Sequence, residues 1–140
     1  MGSSRLPGKV LKMLGDQTVL THVVTRVAAA SNVDGIIVAT STEPADDAIE
    51  DACNAAGWPV VRGSEQDVLS RFAKAVRATK AETLVRVTSD CPLFSPQVLE
   101  AMLHQFDPTT TDYISTNYPN RTLPVGLDCE VMRADRLLEA

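Results

Sequence analysis

Aromatic residues make up 4% of this 140-residue chain: one Trp, two Tyr and three Phe. That scarcity excludes a base-stacking platform for single-stranded nucleic acid, which needs a series of presented rings. Positive charge is also short, with 13 Lys and Arg against 18 Asp and Glu for a net charge of −5. A large phosphate-backbone footprint is thereby excluded, although a few cations in one loop can still hold a small anion. Cys53, Cys91 and Cys129 are odd in number and form no C-x-x-C pair. They suit reduced thiols in a cytoplasm better than a disulfide framework or a zinc site. His22 and His104 fall in expected helices without a metal-ligand spacing, and neither has an evident acid-base partner. A Ser-His-Asp or Cys-His mechanism is therefore not indicated. No apolar run reaches membrane-spanning length and no signal peptide is visible, so a soluble cytoplasmic protein is expected.

What is present reads as one domain over 1–140, with an ordinary 44% hydrophobic and 22% charged composition. After a short extended or irregular link over 10–15, Val19, Leu20, Val23, Val24 and Val27 recur at helical spacing. They predict a helix over about 18–31, capped by Thr18 or Asp16. Gly35 to Ser41 is a β-branched run typical of a strand buried on both faces. Glu43-Pro44 opens a second helix with Asp46 and Asp47 near its positive end, and Gly57 stops it. A short strand over 59–61 follows. Ser64-x-x-Asp67 then resembles a capping box ahead of a third apolar stripe, Val68 to Val76. Thr83 to Thr88 predicts a strand, Ser95-Pro96 a helix start, 112–116 a strand, 126–131 an extended segment, and 134–140 a final helix.

Strands alternating with helices indicate βαβ units and a mostly parallel sheet covered on both faces. Ligands of such sheets bind beyond the carboxyl ends of strands. Thr40-Ser41, Arg62-Gly63, Thr88-Ser89-Asp90 and Asn117-Tyr118 all fall at such ends. The chain opens directly on a loop, Met1-Gly-Ser-Ser-Arg-Leu-Pro-Gly-Lys9. Its glycines, hydroxyls and two cations read either as a cradle for a polyphosphate or as a flexible terminus. It is not a P-loop, because the G-x-x-x-x-G-K-[ST] spacing is absent. A doubly wound sheet would place its central first strand before this loop. The expectation is a chain that begins upstream, the alternative being another segment that fills the gap.

Single residues leave alternatives open. Asp90, just past a buried strand and followed by Pro92, either holds a hard divalent cation or caps the turn. Asp128 and Glu130 lie on one face of an extended segment, facing either solvent or a ligand. Arg86 interrupts an apolar strand and has either an anionic partner or an edge-strand position, and Arg62 adjoins another. Cys91 reads as packing.

Five ordered blocks carry a resemblance: Met1 to Leu11, Val38-Ala-Thr-Ser-Thr42, Arg62-Gly-Ser-Glu-Gln-Asp-Val-Leu69, Val85-Arg-Val-Thr-Ser-Asp-Cys-Pro-Leu93 and Gly126-Leu-Asp-Cys-Glu-Val131. Together they resemble the cytidylyltransferases of spore-coat polysaccharide biosynthesis, relatives of the CMP-Kdo and CMP-sialic acid synthetases. The resemblance implies a nucleotide-diphospho-sugar transferase fold, a three-layer α/β/α sandwich, with CTP and Mg2+ as ligands and a sugar acid or modified sugar as acceptor. It implies that Arg5 and Lys9 face the triphosphate with Ser3 and Ser4 as small donors. Thr40, Ser41, Arg62 and Ser64 would lie in loops around the nucleotide. Asp90 would be the metal-binding aspartate, and Asp128, by a looser match, the second acid near metal and sugar. Relatives have an apolar strand before the position of Met1 and continue past 140, usually into a dimer contact. The rivals are another nucleotide-sugar pyrophosphorylase, a glycosyltransferase whose D-x-D motif Asp128-Cys-Glu130 approximates, and a non-catalytic nucleotide-binding fragment.

Overall fold

The computed structural model describes residues 6–121 and 123–140. Gly8, at φ 67°, turns the chain into a 3-10 turn, Lys9–Leu11. The link expected next is a small antiparallel hairpin, β1 (Met13–Leu14) with β2 (Gln17–Thr18). Gly15 leads its two-residue turn at φ 67°, a conformation open to glycine at little cost. Thr18 caps α1 (Val19–Ala28), its hydroxyl accepting from the Thr21 amide at 3.1 Å. The helix stops short of 31, and Ser31 instead gives both its amide and its hydroxyl to Glu100 at 2.8 Å.

Pairing sets the next boundaries. β3 (Val38–Ser41) and β4 (Val60–Gly63) run parallel, with Val38 opposite Val60 and Ser41 opposite Gly63. The regular strand thus begins later than Gly35, and β4 extends beyond Val61. Between them Pro44–Asp46 winds as a 3-10 turn into α2 (Asp47–Ala56), which Gly57 ends at φ 71°. Asp67, rather than Ser64, is the cap of α3 (Val68–Thr79) and accepts from the Ser70 amide at 2.9 Å. Ser64 accepts from the Asp67 amide at 3.0 Å and so positions the cap. Beyond these lie β5 (Thr83–Val87), α4 (Pro96–Gln105), β6 (Tyr113–Ser115), β7 (Cys129–Arg133) and α5 (Ala134–Glu139).

The layering is α/β/α as expected, but strand directions are mixed. The parallel arrangement is confined to β3 and β4, while β7 sits between β5 and β6, antiparallel to both. The crossover through α4 keeps β5 and β6 aligned, and the return from β6 reverses the chain into β7. Among the described residues no strand joins the two sheets. On one face Val85, Val87 and Val131 pack with Phe94, Leu99 and Phe106. On the other, Leu84 and Met132 meet Phe72, Ala73, Val76 and Leu137. Val38 and Val60 form a further core with Leu20, Val24, Ile49 and Cys53.

Leu99 is fully buried, so Leu99→Ala should cost about 2–5 kcal/mol. A lower denaturant midpoint at unchanged m-value would register it. All three thiols are buried and unpaired. A disulfide reagent such as DTNB should therefore label them slowly in the native protein and at once on unfolding.

Candidate active site

The loop after β5 is anchored so that one carboxylate is left outside. The Cys91 amide bonds the Thr88 carbonyl at 3.3 Å and the Phe94 amide bonds the Cys91 carbonyl at 3.0 Å. Cys91 and Phe94 are both buried in the core below, while the Asp90 side chain stays 40% exposed. Lys9, 81 residues earlier, forms an ion pair with Asp90 Oδ2. The Lys9 ammonium holds the Asp90 carboxyl below the usual carboxylate range against the opposing effect of burial, and the Thr88 hydroxyl assists. Asp90 is thus ionised throughout the neutral range.

Asp128 reaches the same place by strand register. Val87 pairs with Cys129, so one step further along the antiparallel ladder Asp128 lies across from Thr88, two residues from Asp90. Burial pushes the Cys91 thiol up; a Thr88 hydrogen bond opposes this, and the Asp90 and Asp128 charges both add to it. One sulfur therefore senses both carboxylates. Arg121 Nη1 forms an ion pair with Asp128 Oδ1, and the Gly126 amide approaches Oδ2 at 3.4 Å. The result is two partly exposed carboxylates, each facing a long, flexible cation.

A second polar cluster occupies the carboxyl ends of β3 and β4. The Thr40 and Ser41 hydroxyls each donate to Asp46 Oδ2 at 2.7 Å, with the Ser41 amide at 3.1 Å. All three residues are buried. The Arg62 fork donates to the Ser41 and Glu43 carbonyls at 2.8 and 3.0 Å and pairs with Glu50 at 2.7 Å and Asp47 at 2.6 Å. The anionic partner that an Arg in this setting requires is therefore the start of α2. Ser64 accepts through its hydroxyl as described and through its carbonyl from Arg71 at 2.9 Å. Of the four residues expected around a nucleotide, Thr40, Ser41 and Arg62 direct their side chains into this internal network. Beside this network Arg62 and Ser64, with Thr42, Glu43, Gly63 and Lys74, line a depression of about 490 Å³. A Cβ on Gly63 would meet the Arg71 side chain at 3.2 Å, so a larger residue there would require α3 to give slightly.

Other candidates resolve as scaffold. Arg86 pairs with Glu130 at 2.7 Å, its cross-strand neighbour, and lies 5.7 Å from the Phe72 ring centre. Glu130 is therefore engaged across the sheet. Burial pushes the Cys129 thiol up to about 12 and raises Cys53 as well. Neither is a nucleophile at neutral pH. His22 Nε2 meets the Leu14 carbonyl at 2.7 Å. Ser3, Ser4 and Arg5 lie outside the described residues. Three contributors carry little sequence signal: Arg121, marked only by being a cation in the polar loop before Pro124, Asp46, which reads as an acid at a helix start, and Glu50, one turn further on. A larger cavity of about 540 Å³, lined by Thr83, Arg133 and Leu138 among others, lies at the amino end of β5, away from the carboxylates.

Asp90 and Asp128 supply hard oxygen donors. Magnesium is usually held by one or two carboxylates, with water and substrate phosphates completing its shell. No three His, Cys, Asp or Glu side chains among the described residues converge as a metal cage. The donor set thus fits a cation that arrives with a phosphorylated ligand.

Comparison with known proteins identifies the family. A family model described as cytidylyltransferase matches residues 1–138. The spore coat polysaccharide biosynthesis protein SpsF of Bacillus subtilis is 38% identical over 143 residues, covering 99% of this chain and 58% of its own length. The 3-deoxy-manno-octulosonate cytidylyltransferase of Anaeromyxobacter sp. (strain K) is 35% identical over 104 residues, 73% of this chain and 42% of that protein. A cytidylyltransferase structure from Leptospira borgpetersenii superposes with a TM-score of 0.91 at 30% identity, over 99% of this chain and 59% of that one. The chain spans somewhat over half the length of two of the curated relatives it matches. It belongs to the cytidylyltransferase family.

Proposed function

We propose that the protein transfers CMP from CTP to a hydroxyl of a sugar acid or related modified sugar, for polysaccharide biosynthesis. The observation that carries this reading is the convergence of Lys9, Asp90 and Asp128 at the carboxyl end of β5, from three distant parts of the sequence. In the reaction the acceptor oxygen bonds to the α-phosphorus while the bond to the β-phosphate breaks and pyrophosphate leaves. Such chemistry needs positioning and charge neutralisation more than a covalent enzyme intermediate.

Lys9 extends from the turn that follows Gly8 toward the side where the triphosphate would lie, and a point charge there favours departure of pyrophosphate. Arg5 is assigned the same task by family resemblance, with Ser3 and Ser4 as donors. Asp90 and Asp128 would hold Mg2+, which when bound supplies further neutralisation at the phosphates. Asp128, on the β7 side of the opening, would also align the acceptor hydroxyl. Ser64 and the depression beside it are proposed to border the nucleotide, with Thr40, Ser41 and Arg62 fixing the shape of the strand ends. A cytoplasmic setting is favoured by three unpaired thiols, and a homodimer by family resemblance. A glycosyltransferase, the alternative, would consume a finished nucleotide sugar and release no pyrophosphate.

Lys9→Ala and Asp90→Asn should each lower pyrophosphate release from CTP and a panel of sugar acids by about 100-fold or more. Both side chains are partly exposed, so unfolding midpoints should barely move. Normal release from the Asp90→Asn protein would remove the metal role. Equal turnover of UTP or GTP would point to a pyrophosphorylase of different nucleotide choice.

A further inference from the structure

The strands of this chain form two separate sheets, and the edges that face each other are rows of unpaired backbone groups. Val38 and Thr42 give their amides to the Pro59 and Gly63 carbonyls at 2.9 Å, on the β4 side. Successive residues of a strand direct their hydrogen-bonding groups to opposite sides, so the N–H and C=O of Ala39 point away from β4. On β5 the alternation is fixed from the other direction. The Ala134 amide bonds the Glu82 carbonyl at 2.9 Å, so Leu84, opposite Met132, and Arg86, opposite Glu130, are the β5 residues that bond β7. Thr83, Val85 and Val87 therefore turn their N–H and C=O groups outward. Among the described residues neither they nor Ala39 find a backbone partner there.

Two helices bridge the gap, one on each face. Leu20 and Val24 of α1 share a core with Val38 and Val60, while Val27, further along the same helix, joins the core of Val85 and Val87. On the opposite face α3 lies along β3 and β4, and its Phe72 and Val76 join the core of Leu84. The free edges of β3 and β5 thus face one another between apolar walls. Backbone groups in such a place are costly to leave unpaired, and hydrocarbon walls offer water few partners. One extended backbone satisfies both edges at once, and a strand covered on both faces is a run of β-branched residues. We propose that the gap between β3 and β5 is a docking slot for an extended, Val- and Ile-rich peptide strand, which inserts by backbone pairing and joins the two sheets into one. The crossovers through α2 and α3 run β3, β4 and β5 in one direction. One end of the slot therefore opens between Ser41 and the Asp90 loop, and filling it fixes their spacing.

The probe is a capped peptide with a Val-Ile-Val-Ile-Val core between terminal lysines, added to the whole chain and followed by residue-resolved amide hydrogen exchange. The amides of Ala39, Val85 and Val87 should exchange about tenfold or more slowly with the peptide present, and the unfolding midpoint should rise with peptide concentration. The same peptide with Pro for its central Val lacks a donor the ladder needs and should do neither. Protection at Val60 of β4, or at Tyr113 and Ser115 of β6, in place of the slot would be ordinary pairing at the outer edges and overturns the proposal. Unchanged exchange at all three slot amides overturns it too. Slow exchange of those amides in a peptide-free dimer would show that a second copy fills the slot, which also overturns it.

Discussion

The pairing of β7 between β5 and β6 is the constraint on which the rest of the molecule depends. It buries Val131 completely against Phe94 and Leu99. It also sends Leu84 and Met132 to the opposite face, where α3 and α5 close the second layer. The same register decides the chemistry. Because Val87 faces Cys129, the first residue before β7 must lie at the end of β5 where Asp90 emerges. A shift by one residue would turn Val131 away from its core and exchange Asp128 for Cys129 at the opening. Core packing and active-site geometry are thus enforced by one ladder of hydrogen bonds.

Around that ladder the charged groups separate by burial and by the length of their tethers. Asp46 and the Arg62 fork sit in a dense internal network at the ends of β3 and β4, where short donors and backbone carbonyls satisfy them. Arg86 and Glu130 satisfy one another across the sheet. Asp90 and Asp128 face flexible cations at a partly exposed edge, so a ligand can compete for them. The buried network supports shape; the exposed pairs carry the charge that a phosphorylated substrate and its metal would meet. Cysteines serve packing throughout, their thiols raised by burial.

Much of this was legible in the residues. The apolar stripes of α1 to α4, the Thr18 cap, the Gly57 stop and the Pro96 helix start follow from local rules that tertiary contacts did not override. Misplaced boundaries had tertiary causes: Glu100 draws Ser31 away from α1, and β3 and β4 are only as long as their mutual pairing. The Ser64-x-x-Asp67 spacing suits a cap at either residue, because a hydroxyl three residues before an acid fits both arrangements, and Asp67 provides it. The β1–β2 hairpin went unread because its strands are only two residues each and leave too few residues for an alternating pattern.

What the sequence determined by itself was the alternation of strand and helix, the polar clusters at strand ends and the ordered blocks of its family. These are properties of neighbouring residues, and short-range sterics, capping and hydrophobic period suffice for them. Which of those polar residues meet was decided only by tertiary structure. Lys9 and Asp90 are 81 positions apart, and nothing local distinguishes Thr40, turned inward to Asp46, from Asp90, left at the surface. Strand direction likewise departs from the mostly parallel expectation where β7 inserts between two aligned neighbours, because a period of two is the same for parallel and antiparallel partners. That insertion sets Asp128 at the end of β5, beside the loop that carries Asp90.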